Sequence, residues 1–143
     1  MPVGIRFSEA LEGAFRLRGS PREGRMRLVL DGEARLSSVW RGEPVEMGGT
    51  VVALGWLPET RVAGVLAFER RTFTFSYRFV TVSPPEPVHV LSGQRTFRGD
   101  AYAGLTTLAL AISEGDEPIG DATLRLDARG GPRTIAGMRV SWA

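Results

Sequence analysis

The side chains able to do chemistry in this chain make a short inventory. His89 is the single histidine, there is no cysteine, and all eighteen basic residues are arginines, so lysine is absent. Without lysine there is no amine for Schiff-base chemistry and no P-loop lysine. His89 lies between Val88 and Val90 in a strand-like segment, and no G-x-S-x-G elbow supplies a nucleophile for it to activate. His- or Cys-based metal clusters are excluded by count. Glu114, Asp116 and Glu117 fall close together, but their spacing is not that of a twelve-residue calcium loop. They read as a solvated turn. The expectation is therefore no enzyme, no metal and no cofactor.

Anion-binding motifs are equally sparse. Glycines are abundant but never spaced as a dinucleotide fingerprint, and Arg129-Gly130-Gly131 falls between two strand-like segments, not before a helix. The densest basic region is Arg16, Arg18, Arg22, Arg25 and Arg27, opposed there by Glu23. Were the flanking segments a hairpin, these arginines would share one end of it. Arg16, Arg18, Arg25 and Arg27 are thus candidates for contacting a protein partner or a second copy of the chain. Nucleic acid is not expected, because single-strand binding surfaces interleave aromatics with charges. Phe7 and Phe15 instead lie on the opposite parity from these arginines. The net charge is +2, and the isoelectric point near 9.9 is high mainly because arginine does not titrate.

The apolar side is richer. In Arg61 to Val82, a first arm alternates Val62, Gly64, Leu66 and Phe68 against a more polar set. A second arm alternates Phe73, Phe75, Tyr77 and Phe79 against Thr72, Thr74, Ser76 and Arg78. A period of two describes a strand with one apolar face. Glu69-Arg70-Arg71-Thr72 is short enough to join the arms as a hairpin. The aromatic stripe is either a packed core or the wall of a ligand cavity, and periodicity does not separate the two. As a cavity wall it would comprise Trp56, Phe73, Phe75, Tyr77 and Phe79, with Trp40 a further candidate. Tyr77, with Trp56 or His89, would orient a polar head group, since a buried tyrosine hydroxyl needs a partner.

The elements that must position these residues are strands throughout. Val3 to Leu17 alternates Val3, Ile5, Phe7, Glu9, Leu11, Gly13, Phe15 and Leu17 on one parity, interrupted by the charge of Glu9. A strand of that length must bend, and Gly13 is the expected bulge or corner. A rival reading places a short helix over Ser8 to Ala14, with Ser8 as N-cap. Met26, Leu28 and Leu30 share a face of the next segment, whereas Asp31 to Arg41 fits either a continuing strand or a helical turn. Further strands are read from Val45 to Trp56, with a turn at Leu57-Pro58-Glu59-Thr60, and over Val88 to Phe97, Leu105 to Ser113, Ile119 to Asp127 and Thr134 to Trp142. Pro84, Pro85 and Pro87 break the chain between two of them.

About eight to ten short strands with turn signals between them predict an all-β fold, a single antiparallel β-barrel or β-sandwich. The 143 residues suit one domain covering 1–143. No run approaches a membrane-spanning helix, the N-terminal residues lack the pattern of a signal peptide, and the absence of cysteine suits a reducing compartment. Cytoplasmic is the default location.

One set of segments resembles a known family. Gly49-Thr50-Val51, Val62-Ala63-Gly64-Val65-Leu66-Ala67-Phe68, Tyr77-Arg78-Phe79, Leu91-Ser92-Gly93-Gln94-Arg95-Thr96-Phe97, Asp100 and Thr106-Thr107-Leu108 occur in this order. Together they resemble the β-rich accessory region of cholesterol-oxidase-like glucose–methanol–choline oxidoreductases. The chain has no dinucleotide fingerprint and no flavin domain, so the resemblance carries over no oxidoreductase activity and no catalytic residue. It implies a stand-alone β module associated with lipid or sterol chemistry. The functional expectation is a non-enzymatic module that binds an apolar, lipid-like molecule. The alternative is an interaction or regulatory subunit that uses a sheet edge or the Arg-rich region 16–27.

Overall fold

The computed structural model describes residues 3–82, 88–96, 107–126 and 138–142. Its strands are β1 (Val3–Leu17), β2 (Gly24–Arg35), β3 (Val45–Ala53), β4 (Leu57–Glu69), β5 (Thr74–Thr81), β6 (His89–Thr96), β7 (Thr107–Glu114), β8 (Glu117–Leu126) and β9 (Met138–Trp142). A single helical turn, α1 (Leu36–Trp40), joins β2 to β3. Each of the first seven strands pairs antiparallel with the next, and β1 pairs with both β2 and β8. That closes a ring. The fold is an eight-stranded antiparallel β-barrel, which decides between barrel and sandwich, and β9 extends the sheet along the first residues of β1.

The period of two now has a direction. Leu11, Leu28, Leu30, Val51, Leu66, Phe79, Leu91, Leu108, Leu110 and Leu124 fill the lumen and are essentially inaccessible to solvent. The intervening positions carry Arg6, Arg16, Arg27, Asp31, Arg61, Arg78, Asp121 and Arg125 on the exposed outer wall. An apolar lumen inside a charged wall is the reverse of the pattern of a lipid-embedded barrel. No helix among the described residues is long and apolar enough to cross a membrane.

Large rings inside so narrow a barrel need small neighbours. Phe15 lies opposite Gly24, Phe79 opposite Gly64, and Tyr77 opposite Gly93. At Gly64 and Gly13 the adjacent backbone comes so close that a Cβ would sit 1.9 Å from the carbonyl oxygens of Arg78 and Thr123. Gly13 serves as a close approach, and of the expected bulge or corner the bulge is absent, since β1 keeps unbroken register with β2 and β8 through it. The alternative helix over Ser8 to Ala14 does not form, because every residue of that stretch pairs with β2.

Three boundaries also differ from expectation. Asp31 to Arg41 does both things its sequence allows: β2 runs on to Arg35, and α1 follows with Val39 buried. The turn before β4 is Leu54–Trp56 and not Leu57–Thr60, because Gly55 takes φ +83°. Pro58 is accommodated at the register shift between Val51 and Ala53, where the ladder asks no N–H of it. The β4–β5 turn is 70–73, since Glu69 still pairs with Thr74.

The barrel has two mouths. The lower one carries the β1–β2, β3–β4 and β7–β8 turns, and the upper one carries α1 and the β4–β5 turn. Replacing Gly64 by Ala forces a Cβ against immovable backbone and is expected to destabilise the barrel by about 1–3 kcal/mol, read as a lower midpoint in urea. Gly19→Ala, in an open turn, has nothing within 4 Å to meet and tests only its positive φ.

Candidate functional site

Three polar side chains converge inside the lumen. Glu9 points inward from β1, Tyr77 from β5 and Arg95 from β6. In a ring of eight strands β1 and β5 are diametrically opposed, so this contact spans the barrel. Arg95 Nη1 donates to Glu9 Oε1 at 2.7 Å, and the Tyr77 hydroxyl donates to Glu9 Oε2 at 3.2 Å. The Arg95 guanidinium carbon also lies 5.3 Å from the centre of the Tyr77 ring, within cation–π range. The Arg95 and Glu9 side chains are only 1% and 2% exposed.

Burial dominates the electrostatics here. Loss of water raises the Glu9 carboxyl above its ordinary value, against the opposing pull of Arg95 and the two hydrogen bonds. The Tyr77 hydroxyl is pushed well up by burial and by the neighbouring Glu9 carboxylate. It stays protonated and donates. Glu9 accepts from both neighbours and ties β1 across the lumen as a strut, and the partner that Tyr77 requires comes from the protein itself.

The aromatic stripe divides. Phe75, Tyr77 and Phe79 are buried, with Phe75 packed 4.9 Å from Phe68 and Tyr77 6.0 Å from Phe79. These faces meet side chains. Phe73 departs from the expected alternation: it is the last residue of the β4–β5 turn, at φ 51°, and lies half exposed. The pairing of Phe68 with Phe75 fixes the register and leaves Phe73 outside the ladder.

Trp56 and His89 gather at the lower mouth. The β3–β4 turn delivers Trp56, and β6 begins with His89, whose backbone N–H donates to Thr81 Oγ1 at 2.9 Å. Their rings meet edge to face at 4.9 Å, and Phe15 packs 5.7 Å from Trp56 on the lumen side. Beside them opens a cleft of about 490 Å³ lined by Leu17, Arg18, Trp56, His89, Glu114, Glu117, Pro118 and Ile119. Its size lies within the range of small-molecule sites, roughly 300–1,000 Å³. It is an amphipathic cleft, with an apolar wall bordered by charges of both signs.

The Arg-rich region is partly neutralised from within. Arg16 pairs with Glu23 at 3.3 Å, and Arg27 pairs with Glu12, which lies directly across the ladder from it. Glu12 is therefore a second opposing acid beside Glu23. Arg18 turns to the lower cleft, while Arg25 stays on the exposed wall. Among the described residues no group of three His, Cys, Asp or Glu side chains is placed to hold a metal ion. The anion-cradle candidate at 129–131 lies outside the described residues.

No family model, curated protein or solved structure matches the chain.

Glu9 and Arg95 are the residues that sequence reasoning missed. Glu9 showed only as a polar interruption of an apolar face, and Arg95 shares the inward parity of His89, Leu91 and Gly93. Two opposite charges at inward positions of separate strands were the available signal. Glu9→Leu leaves Arg95 buried without its carboxylate and is expected to cost about 3–5 kcal/mol, whereas Glu9→Leu combined with Arg95→Met costs less than Glu9→Leu alone. Urea denaturation of the two single variants and the double variant measures this coupling. The pH dependence has a definite sign. Because folding raises the Glu9 value, its contribution is fully present below the unfolded value of about 4.3 and is lost as pH rises through the folded one. The stability of wild type relative to Glu9→Leu is therefore expected to increase on acidification from neutral pH towards about 4.

Proposed function

We propose that this protein is a non-enzymatic barrel that binds an apolar, lipid-like molecule at its lower mouth, in a cytoplasmic setting suited to a cysteine-free chain. One observation carries the reading: the Trp56–His89 pair lines a cleft of about 490 Å³ whose remaining apolar wall is Leu17, Pro118 and Ile119. An acyl or ring portion lies along that wall, and His89 and Arg18 meet the polar head. The lumen itself plays no part, because Phe75 and Phe79 are packed and Tyr77 is bonded to Glu9. The resemblance to an accessory region associated with sterol chemistry supports the same reading.

A second reading, an interaction module, is favoured by one feature. Closure of the ring pairs every barrel strand on both sides, and β9 is the terminal strand of the sheet, hydrogen-bonded to β1. Its outer edge, unpaired among the described residues, is a template for a strand of a partner or of a second copy.

Native mass spectrometry of the purified protein is expected to show an apolar adduct, and cis-parinaric acid is expected to bind with enhanced fluorescence. Trp56→Ala removes the largest apolar wall and should weaken that binding on the order of tenfold, a loss of about 1.4 kcal/mol. Absence of probe binding, or equal binding by Trp56→Ala, refutes the reading. A dimer in the native spectrum without adduct favours the β9 edge instead.

A further inference from the structure

The upper mouth exposes apolar side chains that the barrel does not use for its own core. Leu36 and Trp40, four residues apart on the single turn of α1, are 43% and 49% exposed. Phe73 is 50% exposed at the tip of the β4–β5 turn. Its φ of 51° lies in the left-handed region, which Asn or Gly occupies more readily than a bulky aromatic. Phe68 bridges the two protrusions, 6.1 Å from Trp40 and 5.9 Å from Phe73 between ring centres. The exposed rings of Trp40 and Phe73 thus stand on the same buried ring, one from α1 and one from the turn.

Arginines surround it. Segments 35–44 and 69–73 together hold four arginines, Arg35, Arg41, Arg70 and Arg71, against two acids, Glu43 and Glu69. Glu43 takes up Arg41 at 3.2 Å. Arg70 and Arg71 form no ion pair among the described residues, and Arg70 rests 5.9 Å from the centre of the Trp40 ring. Between the two protrusions lies a cleft of about 370 Å³ bordered by Trp40, Arg41, Phe68, Arg70 and Arg71.

We propose that the upper mouth docks end-on to an anionic lipid surface, with Leu36, Trp40 and Phe73 entering the headgroup layer and Arg70 and Arg71 meeting lipid phosphates. Amphipathic rings and arginines with apolar stems suit that interface, where each finds an apolar and a wet side. The charged outer wall, including Arg61 and Arg78, keeps the barrel from lying sideways in lipid. A single-stranded nucleic acid fits less well. Arg70 sits over the Trp40 ring, Phe73 meets Phe68 edge-on, and Leu36 offers no stacking face. The surface lies at the opposite mouth from the Trp56–His89 cleft and does not depend on it.

The test is co-sedimentation of the full chain with phosphatidylcholine vesicles, with and without phosphatidylserine. Tryptophan quenching by lipids brominated near the headgroup is measured alongside. Partitioning on the order of tenfold stronger into the anionic vesicles is expected, falling with salt. Trp40→Ala with Phe73→Asn abolishes it, and Arg70→Gln with Arg71→Gln removes the preference for anionic lipid. Leu54→Ser, an exposed apolar side chain at the lower mouth, leaves binding unchanged. Circular dichroism of each variant should match wild type, and the quenching of the wild-type chain is a readout that requires no variant. The proposal is overturned by equal binding to neutral vesicles, by full binding of either double variant, or by equal loss in Leu54→Ser. Preference for a polyuridine oligonucleotide over anionic vesicles at one ionic strength overturns it too.

Discussion

A carboxylate and a guanidinium, 86 residues apart in the chain, meet inside an otherwise apolar barrel. Each ion alone would cost several kcal/mol to bury, so the lumen tolerates Glu9 only where closure brings Arg95 and Tyr77 to it. That places a condition on the whole ring. β1 must pair with β2 and β8 in the observed register, because a slip of one residue would turn Glu9 outward and carry an outward neighbour such as Ser8 into the lumen. Leucine at all three positions would not discriminate registers so sharply. The strut contributes less to net stability than to the choice of one alignment for β1 over its neighbours. Buried polar groups have this use in some systems, and here the geometry across the full barrel diameter suits it.

Steric complementarity imposes the second condition. An eight-stranded barrel has an interior that side chains just fill, and this one spends its width on rings set against glycines. Phe15, Tyr77 and Phe79 each lie across the ladder from a residue with no side chain. Gly64 and Gly93 also let the neighbouring backbone approach closely, and Gly24 makes room for the Phe15 ring itself. Close approach and core filling are therefore one device, and a methyl group at such a site disturbs both.

Much of the architecture was legible as parity. The alternation of Val62, Gly64, Leu66 and Phe68, and of Met26, Leu28 and Leu30, described strands whose inward faces the structure confirms. Parity says which residues share a face but not which strands adjoin. The closure of β1 on β8, and with it the barrel, could not be read from spacing. The same limit hid the strut: Glu9 and Arg95 each appeared as an isolated charge, and only topology makes them a pair. Phe73 misled for a different reason. Its parity continued that of Phe75 and Tyr77, but parity holds only within a ladder, and the four-residue turn ends after Phe73. Trp56 and His89 were legible as residue types worth attention, but their meeting required two separate turns to reach one mouth.

These constraints fill the lumen and leave the open clefts at the mouths. A ligand entering the centre would have to separate Tyr77 from Glu9 and displace the packed Phe75 and Phe79, which leaves the buried Tyr77 hydroxyl without its acceptor. At the mouths no such cost arises. The lower mouth combines a Trp–His edge-to-face pair with the carboxylates of Glu114 and Glu117 and the guanidinium of Arg18. The upper mouth has exposed rings beside Arg70 and Arg71, which form no ion pair among the described residues. The same closed wall, charged outside and filled within, thus leaves the two ends as the chemically distinct surfaces. They differ because different turns, α1 and 70–73 above and Leu54–Trp56 below, supply their side chains.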